Sequence, residues 1–218
     1  MYKCIMFDFD GTLADTENMA VQVAMTLAEK YNFRSITPKE IPYIKSMGAR
    51  EAIAYMGVSR FRLPFIIKAA HKILKEEVSR ADLCQMELYF LLEELSQQGK
   101  LLGVITSNSR DNVEGFLDFH KLTFFNFIRA STIFGKARHF ARIIKKYSLD
   151  KHEVLYVGDE IRDIHAAKRA GIVVAAVTWG FNTEERLREE EPDYIVNTVD
   201  ELKDLIGEHH GKDQPENQ

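Results

Sequence analysis

CIMFDFDGT, residues 4–12, runs four apolar residues into two aspartates one residue apart and follows them at once with Gly11 and Thr12. The apolar run has the length and character of a strand buried on both faces. Ending such a strand in paired carboxylates is electrostatically costly unless a cation or a ligand compensates. The stretch therefore predicts a central strand whose carboxyl end is a binding site.

Similar short apolar runs recur at 101–105, 125–128, 154–157, 172–177 and 194–196, and all read as buried strands. Helical patterns lie between the later ones, at 138–147 and at 162–170, the second closed by Gly171 as a stop signal. Alternation of strand and helix predicts an α/β fold, with a Rossmann-like parallel sheet covered by helices on both faces. One connection breaks the rhythm. From Asp15 to about Asp82 there is only helical pattern, punctuated by Pro38, Pro42, Gly48, Gly57 and Pro64, and LPFIIKAAHKILKEEV carries apolar positions at helical spacing. That is far longer than an ordinary crossover. The expected organisation is a discontinuous core of residues 1–14 and 83–207, a small inserted α-helical cap at 15–82, and a disordered tail at 208–218 ending in HHGKDQPENQ. The chain returns from the cap through a helix at 87–97 with Gly99 as its stop, and no internal repeat is present.

The 218 residues suffice for one sizeable core with an insert. Net charge is −4 with 28% charged residues, which argues against a nucleic-acid footprint. No run approaches the roughly 20 apolar residues of a membrane span, and no signal-like start is seen, so a cytoplasmic protein is expected. Cys4 and Cys84 are too few for a disulfide framework or a thiolate zinc site. The seven histidines show no metal-ligand spacing.

In an open parallel sheet, ligands bind beyond the carboxyl ends of the strands. The first strand delivers Asp8, Asp10, Gly11 and Thr12 there. The second, GVITSNS, delivers Thr106, Ser107 and Asn108, although capping of a helix near Asp111 is a competing use of those three. IFGKARHF follows the third with Lys136 beside a helix start, where a cation is disfavoured by about 0.3–1 kcal/mol and so calls for a compensating role. The fourth, VGDEIRD, delivers Asp159 and, one helical turn on, Asp163. Trp179 reads as packing.

The D-x-D-G-T pattern, the TSN triplet, the isolated lysine and the G-D-x-x-x-D pattern, in that order at successive strand ends, resemble the haloacid dehalogenase superfamily of phosphohydrolases, specifically its phosphoglycolate phosphatase and β-phosphoglucomutase-like group. The resemblance covers nearly the whole chain and includes the helical cap. It implies a Mg²⁺-dependent phosphatase acting on a small phosphorylated metabolite, phosphoglycolate-like or a sugar phosphate, through an aspartyl-phosphate on Asp8. Asp10 would exchange protons with the leaving oxygen and then with water. Asp8, the Asp10 carbonyl and Asp159 would ligate Mg²⁺, with Asp163 holding a metal-bound water or orienting Lys136. Thr106, Ser107, Asn108 and Gly11 would surround the phosphoryl group. In the cap, Arg50 of SMGAREAI is the candidate for a second anionic group, with Lys45, Arg60, Arg62, Lys68 and Lys72 as alternatives. GKARHF lacks the proline that follows this lysine in many relatives. A phosphomutase is the first rival, since the same core can return the phosphoryl group to sugar. A non-enzymatic binding protein would ordinarily have lost one of these acids. A dehalogenase would leave Asp10 without a task.

Overall fold

The structure, a computed structural model, describes residues 1–133 and 135–208. The expected tail lies outside these residues except for Glu208, which closes the last helix. Strand β1 (Cys4–Phe7) is followed by α1 (Glu17–Tyr31), α2 (Ile41–Lys45), α3 (Ala49–Tyr55), α4 (Leu63–Ile73), α5 (Lys75–Val78) and α6 (Glu87–Gln97). Then come β2 (Leu101–Thr106), α7 (Arg110–Phe119), β3 (Phe127–Ala130), α8 (Lys136–Tyr147), β4 (Val154–Gly158) and α9 (Ile161–Ala170). The chain ends with β5 (Val173–Val177), α10 (Glu184–Glu189), β6 (Tyr194–Val196) and α11 (Val199–Glu208). Among the described residues no strand interrupts Glu17 to Val78, and no helix is long and apolar enough to cross a membrane.

All six strands are parallel, in the order β3-β2-β1-β4-β5-β6. Strand β1 lies between β2 and β4, with Phe7 level with Val104 and Val157. The order reverses at β1 and β4, which opens a crevice beyond their carboxyl ends. Because side chains alternate across a strand, Ile5 and Phe7 join one core while Cys4 and Met6 join the other. Leu88, Leu91 and Leu92 of α6, Phe116 of α7 and Leu202 of α11 fill the first. Phe140 and Ile143 of α8 and Ile164 of α9 fill the second. Gly171 ends α9 in the left-handed conformation, φ 69°, as its position in the sequence led one to expect.

Two elements differ from expectation. The third strand is placed two residues later than 125–128, because Phe125 packs edge-on against Phe7 while Asn126 bonds to the Leu102 backbone and opens the pairing. The stretch from Leu63 to Val78 is divided at Leu74 into α4 and α5.

Candidate active site

The carboxyl ends of β1, β2 and β4 and the start of α8 bring their polar residues together. The Asp8 amide continues the ladder by donating to the Val157 carbonyl at 2.8 Å, and its carboxylate Oδ1 accepts from the Phe9 amide at 2.7 Å. Lys136, 1% exposed, donates to Asp8 Oδ2 at 2.5 Å, to Asp163 Oδ1 at 2.6 Å and to the Tyr156 hydroxyl at 2.9 Å. These charge-assisted contacts account for a lysine at the first position of α8, where the helix dipole opposes it. Burial pulls the ammonium's proton affinity down, but Asp163 and Asp8 outweigh it and the group is held above its ordinary value.

Asp159 is wholly buried. Its Oδ1 accepts from the Thr12 hydroxyl at 2.6 Å and its Oδ2 from the Phe181 amide at 2.7 Å. Two glycines fix this cradle. A Cβ on Gly11 would lie 2.4 Å from Asp159 Oδ2 and one on Gly180 2.2 Å from it, and Gly11 also has φ +75°. Burial, and next the charges of Glu160, Asp8 and Asp163, push the Asp159 carboxyl well above the usual carboxylate range. Burial likewise raises Asp163 to about 6, with Lys136 opposing.

Asp8, Asp159 and Asp163 each present a carboxylate oxygen within 4.8 Å of the others. Three buried carboxylates thus face the Lys136 ammonium, with the Arg162 guanidinium also acting on Asp8 and Asp163, and the donor set is all hard oxygen. That chemistry fits a divalent cation of the Mg²⁺ or Ca²⁺ type, not a thiolate or imidazole metal.

Asp10 takes a different set of partners. Its carboxylate accepts from Asn108 Nδ2 at 2.9 and 3.1 Å and from the Thr16 hydroxyl at 3.0 Å. Burial, then the charge of Asp8, raises its carboxyl to about 6 against the pull of those donors. Asp10 lines a chamber together with Ser107 and Asn108. The Thr106 hydroxyl, fully buried, accepts from the Asn108 amide at 2.9 Å and so shapes the loop. Capping of α7 falls to Ser109, whose hydroxyl accepts from the Asn112 amide, which frees the preceding triplet from that competing use.

Arg50 is exposed and lines a groove of about 240 Å³ with Arg162, His165, Arg169 and Arg186, next to the Asp10 chamber, whose wall Arg162 shares. Of the other cations named for that role, Lys45 pairs with Glu17 at 2.7 Å and Arg62 donates to the Tyr31 carbonyl at 3.0 Å. Arg60 borders a cleft beside Ser107 and Asn108, and Lys68 and Lys72 are exposed.

Sequence reasoning missed three residues. Tyr156, the one polar side chain in LYVG, reaches from inside β4 to Lys136 and donates to the Ile105 carbonyl at 3.1 Å. Arg162 fills one of the open positions of G-D-x-x-x-D; it donates to Ser107 Oγ at 3.1 Å and pairs with Glu160, while its Nε is buried without a hydrogen-bond partner. Asn182 is 4% exposed and donates to the Lys45 and Met47 carbonyls, both at 2.8 Å, while accepting from the Ile161 amide. It ties the sheet edge to the segment between α2 and α3. The strand-end rule applied to TWGFN after β5 would have found it; Trp179 there packs on the core, as expected.

Residues 5–177 match the family model described as haloacid dehalogenase-like hydrolase, and the chain belongs to that family. A Phosphoglycolate phosphatase of Synechococcus elongatus is 30% identical over 206 residues, covering 94% of this chain and 97% of its own. Pyrophosphatase PpaX of Bacillus velezensis is 25% identical, covering 93% and 95%. Among solved structures, one described as a predicted phosphatase from Clostridium acetobutylicum superposes with a TM-score of 0.81 at 22% identity, over 95% of this chain and 99% of that one, which speaks to the fold alone.

Proposed function

We propose that this hydrolase is a Mg²⁺-dependent phosphatase of small phosphate monoesters, working through an aspartyl-phosphate on Asp8. The observation that carries the reading is the division of the two aspartates just past β1. Asp8 is clamped by Lys136 among buried carboxylates, whereas Asp10 is turned into an open chamber with its proton affinity raised. The phosphatases named among the relatives support it.

Asp8 is the nucleophile. The carboxylate oxygen not held by Lys136, Oδ1, which accepts from the Phe9 amide at 2.7 Å, forms the bond to phosphorus as the ester P–O bond breaks, and Asp10 gives its proton to the departing oxygen. Asp10, now a carboxylate, takes a proton from water; that oxygen attacks phosphorus, the bond to Asp8 breaks, and inorganic phosphate leaves. Asn108 orients Asp10 for both transfers. Lys136 holds the Asp8 rotamer. Ser107 and the unpaired Nε–H of Arg162 are donors for the phosphoryl oxygens. Asp8, the Asp10 carbonyl and Asp159 would hold Mg²⁺, with Asp163 supporting, and the ion would neutralise charge on the carboxylates and the phosphoryl group. Residues 15–82 act as a helical cap over a core of 1–14 and 83–207.

Incubation with a panel of phosphate monoesters tests this. Inorganic phosphate is expected with Mg²⁺, none in excess chelator, and poor activity with Ca²⁺, whose longer and looser coordination misplaces the nucleophile. Undiminished turnover in chelator contradicts the metal assignment. Appearance of an isomeric sugar phosphate without free phosphate identifies a mutase.

A further inference from the structure

The chamber that opens on Asp10 measures about 340 Å³ and changes character along its length. At the sheet edge it is polar, with Asp10, Ser107, Asn108, and Glu160 paired to Arg162. Away from that edge its walls are apolar side chains, among them Ala24 and Leu27 of α1, Ile53 of α3, Met56 just after it and Ile67 of α4. Among the described lining residues the segment from α1 to α5 contributes neither lysine nor arginine. Its one titratable group there is His71, whose proton affinity is lowered by burial, leaving the ring neutral at pH 7.

A neighbouring cleft of about 430 Å³ also borders Ser107 and Asn108 and does carry a cation, Arg60. Asp10 is not in its wall. The group that protonates the departing oxygen must lie within hydrogen-bond reach of it, so the leaving group belongs on the side where Asp10 is. Among the described lining residues the arginine of this chamber, Arg162, sits at the sheet edge paired to Glu160, so a carboxylate or second phosphate placed along the aliphatic walls would be desolvated against hydrocarbon.

We infer that the leaving group is uncharged and largely apolar: the substrate is an alkyl or aryl phosphate monoester whose hydrocarbon part fills the aliphatic chamber. The inference rests on the phosphatase reading above and names its substrate class. The volume is about twice the ~150 Å³ that accepts one benzene, room for roughly eight to twelve non-hydrogen atoms.

A series of n-alkyl phosphates from ethyl to octyl tests it, because the departing alkoxide is chemically constant and only the chain changes. With Mg²⁺ present, kcat/KM is expected to rise about threefold to fourfold per methylene and then level off as the chamber fills, with phosphoglycolate more than tenfold below hexyl phosphate. Ala24→Phe and, separately, Ala52→Leu should lower the octyl-to-ethyl ratio by about tenfold or more; two variants at different walls guard against one that fails to fold. Binding of the matching alkylphosphonates by calorimetry reads the chamber without turnover. Turnover with a flat chain-length profile, or with phosphoglycolate preferred, overturns the apolar substrate class and leaves the phosphatase standing. Chain-length-dependent phosphonate binding without turnover of any ester keeps the chamber and overturns the phosphatase. Absence of both overturns both.

Discussion

Asparagine in place of Asp8 is expected to lower kcat by on the order of 10⁴- to 10⁶-fold, the scale seen when an attacking residue is removed and binding is left in place. The substitution keeps the shape of the side chain and removes the charge that attacks phosphorus. Its structural cost is small: Lys136 keeps Asp163 at 2.6 Å and Tyr156 at 2.9 Å, and one of three crowded negative charges is gone. Phosphate release measured beside a thermal melt checks both halves. The melt should stay within a few degrees of wild type, and activity within tenfold of wild type would move the nucleophile elsewhere.

Lys136→Met is expected to be the reverse case, damaging the fold as well as the rate. It removes the ammonium that Asp8 and Asp163 share and leaves them only the more distant charge of Arg162, and breaking a buried pair by removing one partner costs about 3–5 kcal/mol. For a chain of this length each kcal/mol shifts Tm by about 2–4 °C, so a fall of roughly 6–20 °C is expected in chelator. Mg²⁺ at a hundred times its Kd returns about 2.7 kcal/mol by binding only the folded state, and should recover part of the loss. Melts of wild type and variant with chelator and with Mg²⁺ make the comparison. An unchanged Tm in both would mean that Lys136 is not the counter-charge of this cluster.

The sheet was legible because each strand is short and mostly apolar, and β1 and β6 fall where such runs predict them. The site was legible for a related reason: in a parallel sheet the residues just past each strand share one edge, so Asp8, Asp159 and Lys136 could be grouped before any distance was known. What escaped were contacts decided by packing across long sequence separations. Tyr156 reaches the cluster from inside a strand, against the rule that strand interiors are core. Asn182 acts through backbone carbonyls of residues more than a hundred positions away, which no side-chain pattern marks. Arg50 lines the groove beside Arg162, and proximity to Gly48 says where a turn lies, not which of two neighbouring grooves the turn faces. The onset of β3 was misplaced because Phe124 and Phe125 are as apolar as strand residues and yet pack outside the ladder.

Asp10→Asn tests most directly the division of labour between Asp8 and Asp10, the two aspartates just past β1. The variant keeps the backbone carbonyl of position 10 but has no proton to give or to take. A nitrophenolate leaves without help, so the first step should proceed with nitrophenyl phosphate while the second stalls for want of a base. The measurement is rapid-mixing release of nitrophenol with Mg²⁺, followed by mass analysis of the quenched protein. The expected result is a burst close to one equivalent per enzyme, slow turnover after it, and one phosphate carried on Asp8. No burst, no label, and equal fractional losses on alkyl and aryl esters would contradict it.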